Sequence, residues 1–545
     1  MYRITFFLFI FLGVNLTPIH AQELSENQRL GATAKVWGFL KYYHPKVARG
    51  KFDWDAELLK ILPKVEQTKT KETFSQTLLD WVNGLGEVPI CKKCDEDNQT
   101  DYFDKNFDLS WIKDTEIFTK ELSDKLGFIE KNRNQGKQHY VSVKHKQVGN
   151  ITLENEPEYA DLDWQDANMR LLIGFKYWNI IEYFFPYKYQ TDEPWGEVLL
   201  EAIPTLKSAS TEKEFHDALL KMVVKIDDSH GWFVTTTHNY TWPSFKTNFV
   251  EDKLVVTGFY ESSQELQTPL EKGDVILAID NEPVENLLLE GMEYTWGSNK
   301  ISKLRNLNYR IVRSLEEGER TIKFQRNGQV REEEAKYYPR DILHSSFKEK
   351  WKMLPNNIGY VNMGEIVVDD VKKIMDSLMQ TKAIIFDIRN YPKGTMYHVG
   401  AYLNSERRNF YKTIQPDLNY PGKFKWTDGG EVGSLRPKEI YQGKIILMVN
   451  EDTQSHAEFS TMALQTADNV VTIGSQTAGA DGNISYINLG GDIRTCMSGM
   501  GIFYPDGTET QRRGVKIDVE VHPTLKGIKE NRDEVLEKAI EIAED

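Results

Sequence analysis

The sequence predicts a multidomain protein of mixed α+β and α/β class, with N-terminal helical repeats, a β-rich domain and a C-terminal α/β domain. Three observations carry this. A set of residues recurs at an offset of 141 with helical spacing, short alternating strands begin near Lys246, and from about Lys350 near-continuous apolar runs alternate with helical segments. The chain has 545 residues, enough for more than one core, and its 40% hydrophobic and 27% charged content excludes disordered and multi-spanning membrane classes. With 67 basic against 82 acidic residues the net charge is −15, so neither a nucleic-acid nor an anionic-membrane partner is expected.

Residues 1–21 read as a cleaved secretory signal. Arg3 supplies a positive charge, Ile4 to Val14 is an apolar stretch too short to span a bilayer comfortably, and Ala21 is the small residue before a cut at Gln22. The protein is therefore expected to be exported, periplasmic or secreted, with no membrane span after cleavage.

Two repeat copies follow, at 22–94 and 164–240. Arg29, Leu30, Lys35, Trp37, Tyr42, Pro45 and Trp54 reappear as Arg170, Leu171, Lys176, Trp178, Tyr183, Pro186 and Trp195. Apolar residues at helical spacing make each copy a small helical unit, and the Trp and Tyr stripe is read as packing core. The copies differ at their ends. The first closes with Gly84-Leu85-Gly86-Glu87, the second with Asp227-Asp228-Ser229-His230-Gly231, so only the second carries a histidine there. Between them, 95–163 is a charged insert with strands expected around His139 to Val143 and Val148 to Leu153, to which no role is assigned. Cys91 and Cys94 form a CxxC pair without a second pair to complete a zinc site. The pair is read as a structural disulfide or as having no chemical role, and Cys496 stands alone.

Residues 241–340 are the β-rich domain. Its segment from Leu270 to Val284, L-E-K-G-D-V-I-L-A-I-D-N-E-P-V, resembles the core strand and turn of a PDZ domain, a module that captures peptides by adding a strand to a sheet edge. Residues 341–545 are the α/β domain. Strands are expected at Ile358 to Asn362, Ala383 to Asp387, Lys444 to Asn450 and Val470 to Gly474, with helices at Asp369 to Met379 and His456 to Ala467. In such sheets ligand sites lie at the carboxyl ends of strands.

Three strand ends carry candidate chemistry. After Asn450 comes E-D-T-Q-S-H-A-E, in which Ser455 and Glu458 fit a capping box and also place a hydroxyl at a helix N-terminus, where free N–H groups favour an oxyanion. After Asp387 comes a turn ending at Gly394. The loop Gly474 to Gly482 is Gly-rich but lacks the G-K-[ST] ending of a phosphate cradle.

Together these segments resemble the S41 family of serine peptidases, the C-terminal processing and tricorn-core group. The S-H-A-E elbow resembles the family's S-x-x-E, D-I-R-N-Y-P-K-G resembles its turn, and the tail from Gly514 resembles its ending. The resemblance implies a ClpP/crotonase-like peptidase domain, Ser455 as nucleophile, and the N–H groups of Gly394 and His456 as oxyanion donors. In one branch of the family a lysine follows the serine by about 25 residues, where this chain has Ala480. The other branch uses a Ser-His pair ahead of the PDZ-like module, here Ser229-His230, with His230 as general base, and a C-terminal glutamate, here Glu509. The register of that glutamate could slip toward Gln511, with Asp227, Asp228 and Asp518 as further orienters of the imidazole. The expected activity is peptide-bond hydrolysis by an exported serine endopeptidase without metal or cofactor, on polypeptide substrates that the PDZ-like module could dock. The alternatives are a non-catalytic peptide-binding protein on the same scaffold and an esterase-like serine hydrolase.

Overall fold

The computed structural model describes residues 23–94, 100–144, 149–235, 240–260, 266, 268–344, 348–434 and 439–545. The expected signal segment, residues 1–21, lies outside them, and the expected strand start at Val148 does too.

The 141-residue repeat appears in the helices themselves. Helices α1 (Glu26–Tyr43), α2 (Trp54–Glu66) and α3 (Lys71–Gly84) are followed, after the insert helix α4 (Lys120–Lys131), by α5 (Ala167–Phe184), α6 (Trp195–Ser208) and α7 (Glu212–Val224), with the same starts in the same register. Polar caps start them: Ser25 at α1, Asp53 at α2, Thr70 at α3, Asp166 at α5 and Thr211 at α7. Each copy locks its first two helices with a reciprocal indole pair. Trp37 and Trp54 each donate their ring N–H to the other's carbonyl at 2.9 and 3.0 Å, and Trp178 and Trp195 do so at 2.7 and 3.0 Å. The copies meet where α1 crosses α5. A Cβ at Gly38 would lie 1.7 Å from Asn179 Oδ1, and Asn179 spends its amide on the carbonyls of Ala34 and Phe175. Gly38 and Asn179 are equivalent positions of the repeat, so one copy supplies the gap and the other fills it.

In the insert, Val141–Ser142 (β1) pairs with Thr152–Leu153 (β2). The sequence reading did not foresee α4, whose apolar face of Leu122, Leu126 and Ile129 is short and flanked by charges. Cys91 and Cys94 are joined in a disulfide.

A two-residue strand, β3 (Phe233–Val234), follows α7. The β-rich unit then builds a seven-stranded sheet from β4 (Thr241–Pro243), β5 (Phe245–Val250), β6 (Lys253–Phe259), β7 (Val275–Ile279), β8 (Glu282–Pro283), β9 (Gly318–Arg326) and β10 (Gln329–Pro339), in the order β4-β10-β9-β7-β6-β5 with β8 on β7. Helices α8 (Val284–Met292) and α9 (Lys300–Val312) cover it, with Leu307 and Ile311 meeting Phe245, Val256, Ile322 and Phe324 in one core.

The C-terminal sheet has six strands in the order β11-β12-β13-β18-β19-β23. These are β11 (Trp351–Leu354), β12 (Ile358–Asn362), β13 (Ala383–Asp387), β18 (Lys444–Val449), β19 (Val470–Gly474) and β23 (Val519–Glu520), all parallel except the edge strand β11. The apolar runs of β12, β13 and β18, and the end of β19, are buried, as the interior of a parallel sheet requires. Helices α10 (Val368–Leu378), α11 (Met396–Leu403) and α12 (His456–Leu464) pack on one face, while Val535 and Ala539 of α14 (Glu534–Glu544), which follows the short α13 (Leu525–Lys529), pack on the other. Smaller sheets pair β14 (Arg408–Asn409) with β17 (Glu431–Val432), set β15 (Lys412–Pro416) between β16 (Phe424–Thr427) and β22 (Gly501–Phe503), and set β21 (Ile493–Ser498) between β20 (Ile484–Gly490) and β3. The last pairing ties the chain just after His230 to the C-terminal half. Among the described residues, no helix is long and apolar enough to cross a membrane.

Candidate active site

The strand β18 runs out at Val449, and the chain turns sharply into α12 at Ser455. Ser455 has φ 56° and ψ −121°, a left-handed setting that a serine adopts only when its surroundings impose it. The imposing groups are visible. The Ser455 N–H reaches the Ala480 carbonyl at 3.0 Å and Glu458 Oε2 at 3.2 Å. Glu458 is fully buried and also accepts from Thr477 Oγ1 (2.5 Å), Gly479 N–H (2.8 Å) and Ala480 N–H (3.0 Å). One carboxylate therefore clasps the Gly-rich loop to the elbow; burial pushes its pKa up, and these hydrogen bonds pull it down. The serine hydroxyl makes no capping hydrogen bond. Only the Glu458 half of the expected capping box holds the turn, which leaves the half-buried hydroxyl free for other chemistry.

Of the two expected oxyanion donors, His456 opens α12 at the elbow, and Gly394 ends the turn that follows β13. His456 is the first residue of α12, so its N–H has no acceptor within the helix. Gly394 has φ 73°, and a Cβ there would touch nothing within 4 Å, so glycine is required for backbone conformation rather than for space. The turn before it is braced by Arg389, which donates to Asp387 and to Asp533, and by Asn390, which donates to Asn362 Oδ1 at 2.9 Å. The exposed Tyr391 ring stands 6.0 Å from the His456 ring.

His230 comes from the loop after α7 and is buried. Its Nδ1 lies 2.9 Å from Ser498 Oγ on β21. Ser498 in turn donates its hydroxyl to Asp228 Oδ1 at 3.0 Å and its N–H to Asp228 Oδ2 at 2.6 Å. A hydroxyl has one hydrogen and a carboxylate accepts only, so Ser498 must accept from His230, which fixes the tautomer with Nδ1 protonated. Among the described residues, the buried His230 Nε2 has no hydrogen-bond partner. Burial pushes the imidazole pKa down, Asp228 opposes this and Arg305 adds to it.

The other expected residues fall in different places. Ser229 Oγ donates to the Ala478 carbonyl at 3.0 Å and accepts the Ser298 N–H at 2.8 Å, so its hydroxyl is occupied in holding loops together. Glu509 accepts from Tyr189 OH at 2.9 Å and pairs with Lys105 at 3.1 Å; among the described residues it does not touch His230. Gln511 instead approaches Asp228 Oδ1 at 3.5 Å. Asp227 pairs with Lys303 at 2.7 Å, and Asp518 holds the Thr472 N–H at 2.8 Å, both away from the imidazole. The sequence reading missed Ser498, whose partners lie some 270 residues away along the chain, and Arg305, whose guanidinium donates to Glu451 O at 2.7 Å and Gln454 Oε1 at 2.6 Å in the elbow. Gln454 Nε2 also reaches the Ser229 carbonyl at 3.5 Å, which brings the two loops together, although no hydrogen bond joins His230 to Ser455 among the described residues.

Residues 357–521, which hold Ser455, Gly394, His456 and Ser498, match the family model described as Peptidase family S41. The chain is a serine-type peptidase whose residues 357–521 are of the S41 type. His230 lies upstream of the matched segment. No curated protein matches the sequence. Among solved structures, mature CPAF complexed with lactacystin is similar at 13% identity, covering 70% of this chain and 98% of its own, with a TM-score of 0.55. A second structure of mature CPAF gives 12%, 70%, 96% and 0.55. A putative S41 protease from Bacteroides fragilis is similar at 12% identity over 67% of this chain and 96% of its own, with a TM-score of 0.37. At these identities the likeness to CPAF is one of fold.

Proposed function

We propose that this peptidase is an exported serine endopeptidase in which Ser455 attacks the peptide carbonyl and His230 is the general base. The observation that supports this best is the His230 network, because Nδ1 is committed to Ser498 and Asp228 and Nε2 is the one ring position left open. Nε2 takes the Ser455 hydroxyl proton as the tetrahedral intermediate forms, the Gly394 and His456 N–H groups hold its oxyanion, and Nε2 then gives the proton to the leaving amine. Asp228, acting through the Ser498 hydroxyl, stabilises the imidazolium. The separation between the serine and histidine loops closes in the substrate complex, as catalytic hydrogen bonds commonly do.

The reading from residues 1–21 and the Cys91–Cys94 disulfide both support an oxidising, exported setting. The β-rich unit at 241–340 is proposed as the PDZ-like docking module. Its edge strand β5 and α9 bound a groove of about 190 Å³ that includes Trp242, Phe245, Asn308 and Tyr309. A fluorophosphonate probe tests the nucleophile directly. Intact and peptide mass measurements should place a single adduct on Ser455, lost in Ser455→Ala and slowed in His230→Ala; labelling elsewhere, or none, contradicts the assignment.

A further inference from the structure

The two proposed catalytic side chains sit on loops more than two hundred residues apart, and one element touches both. Helix α9 and the two residues before it belong to the β-rich unit, yet their polar atoms bond to the histidine loop, the serine elbow, the Gly-rich loop and the segment at Gln511 and Arg512. Ser298, fully buried, exchanges hydrogen bonds with Ser229 in both directions: its Oγ accepts the Ser229 N–H at 2.7 Å, and its N–H donates to Ser229 Oγ at 2.8 Å. Ser298 Oγ also lies 3.4 Å from Gln511 Nε2, and its carbonyl accepts from Arg512 Nε at 3.0 Å. Asn299 caps α9 through Ser302 and donates to Thr477 O in the Gly-rich loop at 2.8 Å. One turn on, Lys303 holds Asp227, and Arg305 holds the elbow at Glu451 and Gln454.

We propose, on the reading of Ser455 and His230 given above, that Ser298 is a positioning residue for the hydrolysis and that α9 is the brace that sets the histidine loop against the serine elbow. The Ser229–Ser298 pair fixes the backbone immediately before His230, and Arg305 holds the Glu451 carbonyl and the Gln454 side chain ahead of Ser455, so both reactive groups are registered on α9 and its N-terminal lead-in. Neither Ser298 nor Arg305 needs to touch the reacting atoms. A hydroxyl at 298 matters because it is the buried acceptor for the Ser229 N–H, which the alternative of an apolar side chain would leave unpaired.

The test uses the full chain with Ser298→Ala and Arg305→Gln, beside Lys300→Ala on the exposed first turn of the same helix as control. Each is read by kcat, KM and the acid limb of kcat/KM on a peptide substrate, with Tm alongside. The charges acting on the imidazole are Asp228 from its own loop and Arg305 from α9; Ser498 meets the ring, Cys496 meets the His230 carbonyl and Gln511 meets Asp228. Loosening the loop hydrates His230, and Arg305→Gln also removes a cation from beside it, so both variants should move the acid limb upward. The expected result is kcat down by about tenfold or more with KM within about threefold and the limb displaced toward pH 6.5, while Lys300→Ala stays at wild type. Because Ser298→Ala removes buried hydrogen bonds and lowers Tm, Arg305→Gln alone decides the outcome if Ser298→Ala does not fold. Cleavage that depends on Ser455 and His230 but keeps its kcat and acid limb in both folded variants overturns the brace alone. Cleavage independent of Ser455 or His230 overturns the underlying reading and the brace with it.

Discussion

A hydroxyl stands between His230 and Asp228, and that interposition sets the pH behaviour of the site. As the proposed base, His230 works only when Nε2 is unprotonated, and burial holds the imidazole below its ordinary value near 6.5. The acid limb of kcat/KM should therefore lie below pH 6.5 in a profile on a neutral peptide; a limb above it contradicts the buried-base account. Ser498→Ala removes the link while leaving both neighbours in place, and kcat/KM should fall by about 10²-fold in steady-state assays. A change of less than about threefold means that Asp228 orients the ring without the serine. The elbow serine was legible in the sequence because S-x-x-E and the preceding apolar strand are local signals. Ser498 was not, since its relation to His230 exists only after β21 and the histidine loop meet. Glu509 was a near miss of register: two residues along, Gln511 faces Asp228, while Glu509 turns to Lys105 and Tyr189.

Among the elements, the repeat copies act as each other's controls. At the end of α1, His44 is buried and, among the described residues, both its ring nitrogens are unpaired; at the end of α5 the equivalent residue is Phe185. Burial, with help from Lys46 and Lys125, pushes the His44 pKa down to about 4. The unfolded chain takes up this proton near pH 6.5 and the folded one only near 4, so stability is full above 6.5 and is lost as pH falls toward 4, by about 3 kcal/mol at the limit. His44→Phe should flatten the fall in urea-unfolding stability between pH 7 and 4.5; an unchanged slope assigns the acid sensitivity to other groups. Gly38→Ala drives a methyl into the Asn179 amide and should cost about 1–3 kcal/mol in the same assay, whereas a neutral result means that the helices shift apart freely. The repeat and the buried parallel strands were legible because they rest on periodicity. Helix α4 and the three-stranded sheets were not, because short elements in a charged insert or with weak alternation take their form from the surfaces they pack on.

For the whole molecule, the helical repeats and the peptidase segment share one core. Ile414, Phe424, Ile487, Leu489, Ile493, Met497 and Phe503 of the C-terminal half are buried in the same cluster as Trp37, Tyr42, Trp178 and Phe184. Residues 341–545 produced alone would expose that surface and also lose His230, so the fragment should aggregate or remain partly unfolded by circular dichroism and gel filtration. A stable, folded fragment contradicts the shared core. The sequence divided the chain by composition, and composition does not report which units pack on one another. The central claim, a serine–histidine peptidase whose base arrives from the second repeat, is tested most directly by digesting an unstructured protein with the mature chain beside Ser455→Ala and His230→Ala, with products read by mass spectrometry. The account predicts cleavage by the unaltered chain and its loss in both folded variants; cleavage that persists in His230→Ala at the wild-type rate would contradict it.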